Sequence, residues 1–255
     1  MALIGWRARG GGKPRILPLG DSAMLAEFAT TVDMAVNARI QQVASRIRAR
    51  APAWVRDVVP SMAAVAVHFD VAAVAATDPK APDARIAAAR EELRRLIELA
   101  ALDVPKAVEE DVQAIEVPVC YGGEYGEDLG AVAAQVGMQP DEVVRRHCDS
   151  PHRVLMVGFA PGHPYMGGLD PALSIPRRAT PRVRVPEGSI AIANGQSVVY
   201  PFVISGGWSI IGRTPLRVFD PKATPPAIFA PGQHVRFVAI DAAEYARLRA
   251  KAGAR

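Results

Sequence analysis

The sequence predicts an α+β protein in which a small N-terminal α+β domain is followed by a β-barrel domain. Three observations predict this class. Residues 15–102 alternate between the two-residue hydrophobic repeat of strands and the 3.6-residue repeat of helices. After Arg153 only short strand patterns recur. Thirteen of the 22 prolines lie between Pro151 and Pro231, where they favour turns and sheet edges over helices.

The first domain, residues 15–102, has strand and helix signals in the order β-β-α-β-β-α. Its strand candidates are "RILPLG", "SAMLAEF", "VRDVVPS" and "AAVAVHF". The first helix has Asp33 as a predicted N-cap and ends before Pro52. The second helix is the amphipathic run "DARIAAAREELRRLIELAAL". This order predicts a layered domain in which the helices cover one sheet.

The second domain, residues 112–242, is predicted to be mostly β. We expect residues 1–14 to be a disordered extension and the polar residues 103–111 to form a hinge. Two short helices, "GEDLGAVAAQVGM" and "PDEVVRRHC", come early, and Pro140 suits the first turn of the second. The strand candidates are "VQAIEVPVC", "RVLMVGF", "GSIAIAN", "SVVYPFVI", "WSIIGR", "LRVFD" and "HVRFVAI". Their spacing is typical of a barrel or a sandwich.

Composition excludes several classes of protein. No apolar run approaches the roughly 18–20 residues that a membrane span needs, and the first residues lack the apolar centre of a secretory signal. Cys120 and Cys148 form no CxxC pair, so we expect no metal site. These features predict a cytoplasmic protein without a membrane partner.

Positive charge is concentrated in one part of the chain. Between Pro151 and Asp220 there are seven arginines, no lysine and only three acidic residues. Arginine without lysine favours forked recognition of a small carboxylate or phosphate over attraction to a polymer. The arginines lie in predicted turns and not on a recognition helix, so we expect no nucleic-acid partner. The alternative is a solvated basic face or a set of internal ion pairs.

Several turns of the second domain carry residues suited to a pocket. No P-loop, HExxH or GxSxG motif is present, so an enzyme role would require a partner chain. The turns instead supply forked donors, an amide and aromatic walls, as a small anionic or cyclic amide ligand requires. The pocket candidates are Tyr165, Arg178, Arg182, Gln196, Tyr200, Trp208, Arg213 and Thr214. The alternative treats the aromatic residues as core and the arginines as rim.

Five long motifs resemble the family of the 5-oxoprolinase B subunit. They are "ILPLGDSAMLAEF", "VPVCYGGEYGEDL", "GFAPGHPYMGGL", "RRATPRVRVPEGSIAIANGQ" and "GGWSIIGRTPL". The resemblance extends from about Arg15 to Phe237. The same family includes the bacterial sporulation-kinase inhibitor and allophanate hydrolase subunit 1. It implies a small N-terminal α+β domain and a cyclophilin-like β-barrel.

The resemblance also implies a function. Such proteins pair with the C subunit of 5-oxoprolinase and, together with its A subunit, cleave 5-oxo-L-proline to L-glutamate using ATP, with Mg²⁺ at the level of the complex. In this scheme Arg178, Arg182, Gln196 and Arg213 are the predicted catalytic residues. The predicted substrate-binding residues are His163, Tyr165, Tyr200, Trp208 and Thr214.

Three departures from the family pattern concern the substrate. His163 stands where phenylalanine is usual, His152 where tyrosine is common, and "ISGGW" replaces the commoner "SPGGW". A histidine beside Tyr165 could bind an anion or move a proton, or it could be a tolerated exposed ring. Two alternative functions therefore stay open. One is a component of an allophanate hydrolase or urea amidolyase, and the other is a non-catalytic inhibitor of a sensor histidine kinase.

Overall fold

The computed structural model describes residues 13–102 and 114–253, which form two compact units. Residues 1–12 of the predicted extension and the predicted hinge at 103–111 lie outside the described residues. The predicted class, an α+β domain followed by a closed barrel, is confirmed. None of the helices in the two described ranges is both long and apolar enough to cross a bilayer.

The first unit is a four-stranded antiparallel sheet with helices on one face. Its elements are β1 (Arg15–Leu19), β2 (Ala23–Glu27), α1 (Met34–Arg48), β3 (Val55–Pro60), β4 (Ala64–Phe69), α2 (Val71–Ala76) and α3 (Pro82–Ala101). The strand order is β1-β2-β4-β3. The predicted order of elements is confirmed, and the short helix α2 is added to it.

The helices of this unit form where the sequence supplies caps and an apolar face. The Asp33 carboxylate accepts a hydrogen bond of 2.8 Å from the Val36 N–H and so caps α1 as predicted. Ile40 of α1 and Leu93 of α3 are fully buried in the core shared with the sheet. Each such side chain contributes about 1.5–3 kcal/mol by leaving water. The helices are therefore held mainly by packing.

The second unit is built around a closed seven-stranded barrel. Its elements are β5 (Ile115–Tyr121), α4 (Leu129–Val136), α5 (Pro140–Asp149), β6 (His152–Val157), β7 (Pro164–Gly167), β8 (Arg182–Val185), β9 (Ser189–Ala193), β10 (Gln196–Val199), β11 (Ile204–Gly206), β12 (Ser209–Arg213), β13 (His234–Ile240) and α6 (Ala242–Gly253). The order around the barrel is β10-β7-β6-β13-β5-β12-β9, and β8 and β11 form a separate two-stranded sheet. Strands β5 and β13 pair in parallel, whereas the other barrel pairs are antiparallel.

Two hydrophobic clusters occupy this unit because strand residues alternate between faces. The larger cluster takes residues from all seven barrel strands, including Ile190, Ile192 and Phe237, and fills the barrel interior. The smaller cluster takes the alternate residues, among them Ala191, together with Val185 of β8. The two-stranded sheet thus covers the outside of β9 and its neighbours.

In the second unit one predicted strand is wrong, and strands β7 and β8 and helix α6 are absent from the sequence prediction. "LRVFD" forms only an isolated bridge between Phe219 and Ala227. Four prolines between residues 215 and 226 remove backbone donors and prevent a continuous ladder there. "SVVYPFVI" is divided between β10 and β11 by a bend at its proline. Helix α6, at the end of the described chain, follows β13.

Candidate functional site

A buried carboxylate, Asp128, organises two of the predicted arginines. Its side chain is 9% exposed. It accepts one hydrogen bond from Arg178 Nη1 at 3.0 Å and two from Arg182, at 2.9 Å from Nη1 and 2.8 Å from Nη2. A fourth comes from the backbone N–H of Ile210 at 2.7 Å. The carboxylate therefore fixes two guanidinium groups from a different part of the chain.

The loop before α4 places Asp128 because it lies directly along β12. The N–H of Gly122 donates to the carbonyl of Ile211 at 3.1 Å, and the N–H of Asp128 donates to the carbonyl of Ile210 at 2.9 Å. A Cβ on Gly126 would clash with the carbonyl oxygen of Ile211, so only glycine fits. The glycines of "YGGEYGED" thus permit the close approach that buries the carboxylate.

Sequence reasoning missed Asp128 and its neighbour Glu127. The charge count compared the arginines only with acidic residues of the same span, whereas these two carboxylates precede Arg178 and Arg182 by about 50 positions. Arg182 Nε also pairs with Glu127 at 3.1 Å. These bonds raise the pKa of Arg182, first through the hydrogen bond to Asp128. Arg178 and Arg182 are therefore in internal ion pairs, and their catalytic role stays a prediction.

Four predicted substrate-binding residues form one aromatic cluster. The ring of His163 lies 5.0 Å from that of Tyr165 and 5.1 Å from that of Tyr200. Tyr165 lies 5.9 Å from Trp208, and Arg177 stacks over the Trp208 ring at 5.7 Å. Sequence reasoning predicted the four aromatic residues but not Arg177.

Burial determines the charge of this cluster. His163 is 2% exposed, so it is not an exposed ring, and burial lowers its pKa to about 4. Burial raises the pKa of Tyr200 to about 12. Both groups are uncharged at neutral pH. His163 therefore cannot attract an anion by charge and can act there only as a neutral hydrogen-bonding ring.

The other predicted residues lie apart from Asp128. Gln196 is buried at the start of β10, opposite Ala193. Arg213 donates from Nη2 to the carbonyl of Glu124 at 3.3 Å and lies over the Tyr125 ring at 5.9 Å. Thr214 is 1% exposed, and its hydroxyl accepts the N–H of Leu216 at 3.2 Å, as a turn residue does. The structure thus brings together Arg178 with Arg182, and the four aromatic residues with one another. Arg213 and Thr214 have other hydrogen-bond partners and are not among the described residues that bond to Asp128.

A second polar cluster lies inside the barrel. Tyr121 Oη and His147 Nδ1 share a hydrogen bond of 2.8 Å, and His147 Nε2 and Ser197 Oγ share one of 3.1 Å. His152 Nε2 donates to the carbonyl of His147 at 2.9 Å. The arrangement resembles a serine activated by histidine. Ser197 and His147 are fully buried, so a substrate cannot reach them, and the cluster is structural.

The chain is similar to known proteins along most of its sequence. Residues 14–229 match the carboxyltransferase domain family, subdomain C and D. The chain is 35% identical to the 5-oxoprolinase B subunit of Bacillus subtilis (strain 168), over 91% of its own length and 95% of that protein. It is 36% identical to the 5-oxoprolinase B subunit of Escherichia coli O157:H7, over 89% and 96% of the two chains.

A solved structure supports the same fold. The K. lactis urea amidolyase superposes with a TM-score of 0.71 at 16% identity, over 94% of this chain and 16% of that chain. The chain belongs to the carboxyltransferase-domain family, in which its relatives include the B subunit of 5-oxoprolinase. The resemblance predicted from the sequence motifs is confirmed.

Proposed function

We propose that this chain is the B subunit of a heteromeric, ATP-dependent 5-oxoprolinase that cleaves 5-oxo-L-proline to L-glutamate. The observation that carries the proposal is the 35% identity to a named 5-oxoprolinase B subunit over nearly the full length of both chains. That relative is named as one subunit of its enzyme, which supports a multi-chain assembly. We assign the A and C subunits of 5-oxoprolinase as the partners, and the cytoplasm as the location.

The reaction explains the need for ATP and for fixed cationic donors. The amide of a five-membered lactam is a poor electrophile, so its hydrolysis needs an activated amide oxygen, and ATP bound in the assembled complex would supply that activation. In the proposal the chain's own arginines bind the substrate carboxylate and orient the ring. The carboxylate of Asp128 holds Arg178 and Arg182 in place before substrate arrives, which lowers the cost of ordering them on binding.

The cleft beside Asp128 does not fit ATP itself. The cleft beside Asp128 has a volume of about 270 Å³, which is below the roughly 300–1,000 Å³ of ordinary ligand pockets. Residues 13–102 and 114–253 contain no group of three or more His, Cys, Asp or Glu that could hold a metal ion. We therefore propose that ATP and Mg²⁺ are bound in the assembled complex, and we assign no residue of this chain to their binding.

The kinase-inhibitor alternative is favoured by one observation. Phe159 is 66% exposed and has a φ of 71°, a left-handed conformation that costs a bulky residue free energy. An exposed aromatic ring in such a conformation suits docking to another protein without turnover. Binding to a sensor kinase by the chain alone, together with absence of turnover in the complex, would favour this alternative.

The test is 5-oxoproline-dependent release of ADP, measured on the chain alone and on the complex with its co-expressed partner chains. We expect activity only in the complex. Replacing Arg182 or Arg213 with alanine should abolish activity while the complex still assembles. The control is Arg217→Ala, because Arg217 pairs with the nearby Asp220 in an exposed turn. Normal turnover in both arginine variants would refute the assignment of these residues.

A further inference from the structure

We propose that the cleft between α4 and the segment that precedes β8 binds a small monocarboxylate, with Arg177 and Arg178 as the donors to its carboxylate. The inference rests on the proposed function for the identity of the ligand. It assigns to the chain a binding subsite that includes Arg177, Gln135 and Ser209, none of which is among the pocket candidates predicted from the sequence.

The cleft has the size of a small organic acid. Its volume is about 270 Å³, and Asp128, Gln135, Arg177, Arg178 and Ser209 are among the residues that line it. Helix α4 begins next to Asp128, so the positive end of its dipole adds to the field of the arginines. Both walls are parts of the same compact unit.

The two arginines are fixed but have hydrogen-bonding capacity left. Arg178 uses only Nη1 in its bond to Asp128, and its side chain is 37% exposed. Arg177 stacks on Trp208, and the structure gives it no ion-pair partner among residues 13–102 and 114–253. Guanidinium groups that are held by a carboxylate and by an indole need little ordering to bind an anion.

The local charge favours an anion with one negative charge. Arg178 and Arg182 pair with the carboxylates of Glu127 and Asp128. Arg177, over the Trp208 ring, adds a third guanidinium group that has no acidic partner among the described residues. One positive charge is left over. A monocarboxylate neutralises it, whereas a phosphate dianion would add excess negative charge beside Asp128.

Neutral polar groups complete the subsite. Ser209 is 8% exposed and lines the cleft. Gln135 contributes an amide from the exposed side of α4. A hydroxyl and an amide suit the amide group of a ligand, as the arginines suit its carboxylate. 5-Oxo-L-proline carries both groups in one small ring.

The experiment measures binding to the full chain without its partners, by isothermal titration and by NMR chemical shifts. The probes are 5-oxo-L-proline, its neutral carboxamide and inorganic phosphate. We expect 5-oxo-L-proline to bind at least about tenfold more tightly than either of the other two, because neither of them offers the two arginines a carboxylate with one negative charge. Arg177→Ala should weaken its binding by about tenfold or more, and Arg177→Lys should restore part of it.

The matched control is Arg184→Ala. Arg184 is another exposed arginine without an ion-pair partner in the described residues, and it does not line the cleft. It should leave binding unchanged. Equal binding of the carboxamide, tighter binding of phosphate, or unchanged binding in Arg177→Ala would each overturn the proposal.

Activity of the assembled complex separates this inference from the proposed function. Carboxylate binding that depends on Arg177, in a complex without turnover, would support the subsite and refute the 5-oxoprolinase assignment. Turnover in the complex with an unchanged KM in Arg177→Ala would support the function and overturn the subsite.

Discussion

Removing the carboxylate of Asp128 should destabilise the barrel unit by about 3–5 kcal/mol. The carboxylate accepts four hydrogen bonds, three of them from guanidinium groups whose side chains are only 37% and 19% exposed. Deleting one partner of a buried ion pair costs about 3–5 kcal/mol, because the remaining charge is left uncompensated. The Ile210 N–H also loses its side-chain acceptor. Asp128→Asn keeps the shape but not the charge, so it should lose most of the same free energy.

The assay is urea unfolding followed by tryptophan fluorescence, with Trp208 reporting on this unit. Hydrogen exchange at the Ile210 N–H gives a second, local measurement. Exchange there should be faster in Asp128→Ala and in Asp128→Asn than in the parent protein. The control is Glu116→Ala, which breaks the exposed pair between Glu116 and Arg236 and should cost less than about 1 kcal/mol. A free energy of unfolding for Asp128→Ala within about 1 kcal/mol of the parent value would refute the reasoning.

Three further predictions concern other parts of the fold. Burial lowers the pKa of His152 and His163 from 6.5 to about 4. Between pH 6.5 and pH 4 the two histidines are protonated in the unfolded chain but not in the folded chain. The free energy of unfolding should therefore fall as the pH drops from 6.5 to 4, by about 3 kcal/mol per histidine. Gly126→Ala should cost about 1–3 kcal/mol, because its methyl group meets a β12 carbonyl. Leu93→Ala should cost the first unit about 2–5 kcal/mol by opening a cavity in its core.

Each of these has a direct check by urea unfolding. For the histidines, a flat profile between pH 6.5 and 4 in the parent protein, or an unaltered slope in His152→Phe, would contradict the linkage. Gly130→Ala is the match for Gly126, since a Cβ there meets nothing within 4 Å and alanine favours a helix. Leu99→Ala is the match for Leu93, because Leu99 is 60% exposed. If Gly126→Ala and Gly130→Ala, or Leu93→Ala and Leu99→Ala, lowered the free energy of unfolding by equal amounts, the packing argument for that pair would be contradicted.

Local signals in the sequence predict most of the fold. The Asp33 cap places helix α1, and Pro140 in its first turn places α5, because capping depends on neighbouring residues. Alternation and turn residues identify the barrel strands except β7, which lies in a segment predicted to be a turn. The prediction of a strand at "LRVFD" is wrong because it considers only the strand-like composition of these five residues. The flanking prolines lack backbone N–H donors and so prevent a continuous ladder of hydrogen bonds.

The candidate site can be predicted only in part. The aromatic residues around His163 are identified from the composition of three separate turns. The pairing of β7 with β10, which places Tyr165 opposite Val198, brings Tyr200 close to His163 although the two are far apart in sequence. The ion pairs of Arg178 and Arg182 are not identified, because Asp128 lies 50 positions or more from both and only the course of the loop along β12 joins them. A count of charges along the sequence therefore cannot identify an ion pair between residues that only the fold brings together.

The parallel pairing of β5 with β13 has a consequence for synthesis. Glu116 and Arg236 lie opposite each other although 120 positions separate them. A nascent chain emerging from the ribosome therefore exposes the unpaired edges of β5 and β6 until the residues of β13 leave the exit tunnel. Long-range pairing of this kind slows folding, and open strand edges invite association with other chains. During translation, the barrel unit should accordingly depend on chaperones until its last strand is available.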